Sequence, residues 1–276
     1  KLGLSYTNIA GLHKCVDSIW PRAGEPHRSS LGPILLTSTF NDHPDKEFVL
    51  RHCDIVEVVK SLWGDPSLAK HLVYRPKSVF QDAKHIRRAY SEMWSGKWWQ
   101  YTQDKLPVGA TVAPLIIATD KTQLTQFSGS KQAYPVYLTL GNIPRGLRRK
   151  PSQQACVLLA YLPVEKLNKD QMIQREATGR YHRLFHEAMR QVMAPLITAG
   201  KEGVDMASAD GEVRCVHPIL ASYVADFPEQ CLVACSKSGT CPKCRVLSAN
   251  LGEEGPFERR TPKWTLGVMK EARESS

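Results

Sequence analysis

Val112-Ala-Pro-Leu-Ile-Ile-Ala-Thr119 is an unbroken, largely apolar run closed by Asp120. It is followed by Val136-Tyr-Leu-Thr-Leu140 and then by Ala155-Cys-Val-Leu-Leu-Ala-Tyr-Leu162. These runs have strand length, and Gly141-Asn142 and Pro144-Arg145-Gly146 supply turns between the last two. Three consecutive strands are therefore expected, with a domain beginning at Leu106. Next, Tyr181, Leu184, Phe185, Ala188, Met189, Val192, Met193, Leu196 and Ile197 recur in alternating steps of three and one. That spacing predicts an amphipathic helix of roughly five turns, bent near its end by Pro195. Beyond Gly200 and Gly203, a polar hairpin around Asp210-Gly211 leads into the apolar run Ile219 to Ala225, read as either a strand or a short helix, which stops at Asp226-Phe227-Pro228.

Strand, strand, strand, helix, strand is the layout of a ribonuclease-H-like sheet, in which the first strand lies beside the fourth. The expected fold is thus α/β (α+β): a ribonuclease-H-like mixed sheet with flanking helices, a small cysteine-rich zinc loop and a mainly helical N-terminal region. The layout would bring Asp120 and Asp226 together, and two such carboxylates can bridge divalent cations about 4 Å apart for phosphodiester chemistry. An aspartate after a strand is also an ordinary turn former, so the layout by itself leaves both readings open.

Working outward, residues 1 to about 50 mix Pro, Gly, Ser and His, as in Pro21-Arg-Ala-Gly-Glu-Pro-His27, and read as loop-rich. Ile55, Val58, Val59 and Leu62 then mark a helix, which Gly64-Asp-Pro-Ser67 ends while capping a second one with Leu68 and Leu72. Trp94, Trp98 and Trp99 have helix-compatible spacing and read as aromatic packing. The tail from Gly252 is rich in Glu, Arg, Pro and Ser and is expected to be poorly ordered. These textures divide the chain into residues 1–105, 106–230, 231–250 and 251–276.

The 276 residues are 42% hydrophobic and 23% charged, which excludes a disordered, collagenous or coiled-coil chain. No stretch approaches the ~20 apolar residues of a membrane span. The formal net charge of +10 favours polyanionic partners, nucleic acid among them. Positive residues near the first strands, Lys121, Lys131, Arg145, Arg148, Arg149 and Lys150, are expected on loops where a nucleic-acid backbone would approach Asp120, with solvated turns as the alternative. His182 and His186 lack a His-Glu-x-x-His pattern and read as helix-surface residues. The chain begins at Lys1 with neither an initiator Met nor a signal-peptide pattern, and reads as a fragment.

Four of the eight cysteines fall in Cys231-x3-Cys235-x5-Cys241-x2-Cys244. The closing Cys-x2-Cys is the knuckle spacing of tetrahedral zinc sites, and four thiolates would leave no open position, so the zinc would be structural. Buried thiols or a disulfide are the alternative. Such clustering fits a reducing compartment.

The stretch Leu106 to Thr125, followed by Ser128-Gly-Ser-Lys-Gln-Ala-Tyr-Pro-Val-Tyr-Leu-Thr-Leu-Gly-Asn-Ile143, resembles the Plavaka transposases of basidiomycete fungi. Arg148-Arg-Lys-Pro-Ser152, the Tyr181 to Gly203 helix, Tyr223-Val-Ala-Asp-Phe-Pro-Glu-Gln-Cys-Leu-Val-Ala-Cys235 and Cys241-Pro-Lys-Cys244 continue the resemblance in order. The family is related to CACTA cut-and-paste transposons. The resemblance implies a ribonuclease-H-like core whose three acidic residues bind Mg²⁺ or Mn²⁺, with Asp120 matching the first acid and Asp226 the second. It also implies a zinc-binding insertion formed by Cys231, Cys235, Cys241 and Cys244.

In such transposases the third acid lies far downstream of the cysteines, so this chain, ending at Ser276, is expected to be catalytically incomplete alone. The function implied is a nuclear transposase or transposase fragment, acting on DNA at transposon ends as an oligomer. The alternative is a non-catalytic nucleic-acid-binding remnant stabilised by its zinc loop. An unrelated enzyme with a cysteine nucleophile would need a His beside a residue such as Cys156, and no such pairing is evident in the sequence.

Overall fold

The computed structural model describes residues 34–40, 43–124, 132–164 and 174–275. It is a mixed α+β structure that divides into two compact units, Lys1–Tyr223 and Val224–Ser276. The first unit is built on a seven-stranded sheet. Its strands are β1 (Ile34–Phe40), β2 (His43–His52), β3 (Thr111–Thr119), β4 (Pro135–Leu140), β5 (Cys156–Tyr161), β6 (Val204–Ala207) and β7 (Val213–Val224), in the spatial order β1-β2-β5-β4-β3-β7-β6.

β3, β4 and β5 are the three consecutive strands expected, joined as antiparallel neighbours with Leu115 opposite Leu140 and Thr119 opposite Val136. β7 lies on the other side of β3. The Thr119 and Tyr223 hydroxyls are 2.8 Å apart, so the C-terminal ends of β3 and β7 meet. In an antiparallel pair Tyr223 would instead lie a strand length away from Thr119. The two strands therefore run the same way, and the sheet is mixed.

Burial explains why β3 anchors the sheet. Every residue from Thr111 to Thr119 except Ala118 is buried, as expected of a central strand covered on both faces. A helix, α2 (Lys97–Gln103), is tied to its start: Gln103 donates through Nε2 to the Ala110 carbonyl at 2.7 Å and accepts from the Val112 amide at 3.2 Å. Trp99 on α2 is fully buried, as the packing role expected for the tryptophans requires, whereas Trp98 stays exposed.

The helix expected from Ile55 forms as α1 (Ile55–Trp63). Asp54 caps it, its carboxylate accepting from the Val56 and Glu57 amides at 2.8 and 3.1 Å. Ile55, Val58, Val59, Leu62 and Trp63 are its buried face, and α1 packs against β6 and α4 (Pro195–Glu202). The long amphipathic pattern forms α3 (Gln174–Met193), which ends just before Pro195 opens α4. Ala177, Leu184, Phe185, Ala188 and Val192 are buried along it.

Three parts of the chain differ from the sequence reading. Residues 34–52 hold two strands where loops were expected, and β2 joins the main sheet through Arg51 opposite Tyr161 and His52 opposite Ala160. The first half of β2 is His43-Pro-Asp-Lys-Glu47, too polar to show a strand period. Among the residues whose burial is described, Phe48, Leu50 and His52 are buried and alternate with exposed Val49 and Arg51, so the period shows in the second half alone. Ile219 to Val224 belongs to the longer β7, whose first half interleaves charge with apolar residues. In the tail, Pro262–Glu274 forms a helix, capped by the Thr261 hydroxyl accepting from the Trp264 amide at 3.2 Å. Thr-Pro at the entry is a start signal that overrides the polar composition.

Candidate functional site

Asp120 is the first residue beyond β3, and it is exposed. Its carboxylate has no hydrogen-bond or ion-pair partner among the described residues; Thr122 Oγ1 donates to its backbone carbonyl at 3.3 Å. One residue earlier, Thr119 is buried and held to Tyr223. One residue later, the Lys121 ammonium lies 4.7 Å from the centroid of the Tyr181 ring on α3. Burial against that helix lowers the Lys121 pKa. Tyr134, just before β4, stacks on Phe185 at 5.8 Å and fixes α3 beside this end of the sheet. Asp120 thus follows a strand whose end is rigidly seated.

The second unit begins with the last residue of β7 and continues into α5 (Phe227–Val233). Asp226 is the N-cap of α5: its Oδ1 accepts from the Glu229 amide at 2.9 Å. The local sequence Asp-Phe-Pro-Glu dictates this, with an N-cap acid followed by Pro in the first turn. Capping orients the exposed carboxylate and commits one of its oxygens. The donors that Asp120 and Asp226 offer are hard carboxylate oxygens, the type that Mg²⁺ and Mn²⁺ prefer.

The basic residues separate into distinct groups. Lys121 is at the Asp120 end, and Lys131 lies outside the described residues. Arg145–Arg148 is a helical turn after β4, with Arg149 and Lys150 following. Because β4 runs antiparallel to β3, with Leu140 opposite Leu115, this turn lies at the other end of the ladder from Asp120. The expectation that it flanks Asp120 is corrected: consecutive antiparallel strands exchange ends, so loops that follow each of them face opposite ways.

Arg148 is also occupied. It donates through Nε to the Ile143 carbonyl at 2.9 Å and pairs with Glu92 at 3.6 Å. Burial lowers its pKa, with Glu92 opposing the shift. Glu92 also accepts from the Arg145 amide at 2.9 Å, so one carboxylate pins the whole turn. Arg145, Arg149 and Lys150 remain exposed.

In the cysteine-rich segment, Cys241 and Cys244 form a knuckle. The amides of Lys243 and Cys244 both donate to Cys241 Sγ at 3.4 Å. Burial on its own would raise the Cys241 pKa, but these amides, the Cys244 thiol and Arg260 together bring it below the ordinary value. Arg260 Nε donates to the carbonyls of Cys241 and Cys244 at 2.8 and 3.0 Å. Its guanidinium, like that of Arg245, lies over the Trp264 ring, at 5.0 and 4.6 Å respectively. The turn is thereby clamped to the start of the helix at Pro262.

The other two cysteines differ. Buried Cys231 donates its thiol proton to the Thr240 carbonyl at 3.3 Å, and burial raises the Cys235 pKa. Among the described residues no group of three or more His, Cys, Asp or Glu side chains is gathered to hold a metal ion. The knuckle pair suits zinc, while the set of four is not drawn together.

Of the remaining candidates, His182 is exposed and His186 half-buried on α3. Burial and then His186 lower the His182 pKa. Burial raises the Cys156 thiol pKa, so it is no activated nucleophile. The sequence reading did not single out Tyr223 and Tyr181, which seat the two sides of Asp120. A tyrosine at a strand end and another in the first half of a helix were the only signal.

A family model described as Plavaka transposase matches residues 6–276. No curated protein matches the chain. No helix among the described residues is long and apolar enough to cross a membrane.

Proposed function

The chain belongs to the Plavaka transposase family, and from that premise we propose that Asp120 and Asp226 are two of the metal-binding carboxylates of a ribonuclease-H-like transposase core. That core cleaves and transfers DNA strands at the ends of a CACTA-related fungal element, in the nucleus and as an oligomer. The observation that carries this reading is the Thr119–Tyr223 hydroxyl pair. It joins the ends of two neighbouring strands, one residue before the first acid and three before the second.

Mg²⁺ or Mn²⁺ bound there supplies activation of the attacking oxygen and stabilisation of the leaving oxygen. The chain's own residues do the positioning. Asp226 is oriented by its cap bond to the Glu229 amide. Lys121 beside Asp120 offers its ammonium to a phosphate, and the Tyr181 ring holds that ammonium in place. The exposed Arg145, Arg149 and Lys150 contact DNA backbone farther off, where charge rather than chemistry matters.

The test is Mn²⁺ binding by the chain, read by electron paramagnetic resonance, for wild type, Asp120→Asn and Asp226→Asn. Asn is as good an N-cap as Asp, so the Asp226 variant keeps α5 intact. Each substitution is expected to weaken binding by more than the roughly 10-fold that even an outer-shell partner is worth. Unchanged Mn²⁺ affinity in both variants, with DNA binding retained, would favour the non-catalytic nucleic-acid-binding alternative instead.

Cys231, Cys235, Cys241 and Cys244 are proposed to take one structural Zn²⁺, on the support of the Cys241–Cys244 knuckle and its Arg260 clamp. Metal analysis of the purified chain should find about one zinc per molecule, the four-thiolate stoichiometry. Cys241→Ser should lose it, and a zinc-free wild type would remove the assignment.

A further inference from the structure

The β6–β7 hairpin carries a second pair of chemically active side chains, unrelated to the acids. Cys215 and His217 are two residues apart on β7 and share a face. His217 is 2% exposed, and its Nδ1 lies 3.1 Å from the Gly200 carbonyl oxygen. A carbonyl can only accept, so in the neutral ring Nδ1 carries the proton and Nε2 presents its lone pair. That lone pair is 3.8 Å from Cys215 Sγ, within hydrogen-bond range for sulfur. A nucleophile, a base beside it and a third group fixing the base's tautomer is the pattern of an activated thiol.

Gly203 makes the arrangement possible. The β6–β7 register pairs Val204 with Val216, which sets Gly203 opposite His217. A Cβ at Gly203 would lie 2.6 Å from Cys215 Sγ and 2.8 Å from His217 Nε2. Only a residue without one leaves room for the sulfur and the ring together.

Most other described cysteines are unsuited to this chemistry. Burial and Asp54 push the Cys53 thiol up to about 12. Burial also raises Cys156, and Cys231, Cys235, Cys241 and Cys244 are the four proposed for zinc. Cys215, by contrast, is only half-buried and has the imidazole beside its sulfur.

We propose that Cys215 is a modification site that exchanges with low-molecular-weight disulfides of the glutathione class, with His217 as its base. His217 Nε2 takes the thiol proton, and Sγ attacks one sulfur of the disulfide. The disulfide's S–S bond breaks, and the departing thiolate recovers the proton from His217. One protein thiol becomes a mixed disulfide and one small thiol is released, with the disulfide itself as oxidant.

The experiment treats the intact chain with glutathione disulfide at pH 7 and follows each cysteine by tandem mass spectrometry. Cys215 should acquire the adduct at least about tenfold faster than Cys156, which has no base beside its sulfur among the described residues, the gain expected for a base-assisted thiol. Equal or slower reaction at Cys215 overturns the proposal. In His217→Gln, shown by circular dichroism to be folded, the Cys215 rate should fall to that of Cys156. A folded variant reacting at the wild-type rate would overturn the role of His217. Should the variant not fold, the wild-type comparison still decides.

Discussion

Replacing Trp63 by Ala is expected to destabilise the first unit by about 3–5 kcal/mol, the range for large aromatic truncations in a core. Trp63 closes α1 and is fully buried. Its indole N–H donates to Ser208 Oγ at 2.8 Å, and its ring meets Tyr74 edge-on at 5.2 Å. Tyr74 in turn lies under the Arg214 guanidinium at 4.0 Å, and Arg214 is paired with Asp210 at 2.7 Å. One side chain therefore links the first helix to both sides of the β6–β7 turn. Deleting it removes apolar burial, an aromatic contact and a satisfied polar bond together.

Urea unfolding checks this: the midpoint should fall with the slope unchanged. Ser208→Ala isolates the polar part by leaving the indole N–H without its acceptor, at a cost of about 1–3 kcal/mol. A Trp63→Ala midpoint equal to that of Ser208→Ala would mean that the ring itself contributes nothing.

Gly203→Ala is the second large effect, at about 3 kcal/mol or more. Two costs combine. Gly203 has φ 80° and ψ 164°, a backbone region essentially restricted to glycine. The added methyl would also collide with Cys215 and His217 at 2.6 and 2.8 Å. Neither neighbour can retreat easily, since His217 is held by Gly200 and Cys215 lies within a paired strand. Gly211→Ala is the control: its φ is 90°, but no atom stands within 4 Å of the new methyl. It should cost clearly less, and equal midpoints for the two variants would show that the collision is relieved at no expense.

Much of this architecture was legible in the chain. Val112 to Thr119, Val136 to Leu140 and Ala155 to Leu162 are strands because their apolar runs are short and bounded by turn residues, and the α3 pattern is long enough to be unambiguous. β2 was hidden because its first half is polar in sequence and its apolar residues Phe48 and Leu50 leave too little alternation to see. The Pro262 helix was hidden because its cap signature is two residues long inside a charged segment. For the site, residue types pointed to Asp120, Asp226 and the Cys241–Cys244 knuckle, since acids after strands and Cys-x2-Cys are local patterns. The wrong placement of Arg145 to Lys150 has another origin: proximity in sequence carries no information about which end of a sheet a loop occupies. The pairing of Thr119 with Tyr223, or the placing of Gly203 across from Cys215 and His217, likewise depends on partners and backbone angles that no spacing rule expresses.

The antiparallel exchange of ends between β3 and β4 sets a ruler for nucleic acid. From Thr119 back to Leu115 is four strand steps, about 14 Å at ~3.4 Å per residue. A duplex rises ~3.4 Å per base pair, so it would advance about four base pairs in passing from Asp120 to the Arg145 turn. On the proposed reading, a duplex laid along the ladder and held at one end would therefore meet the other end at a fixed phase of its groove.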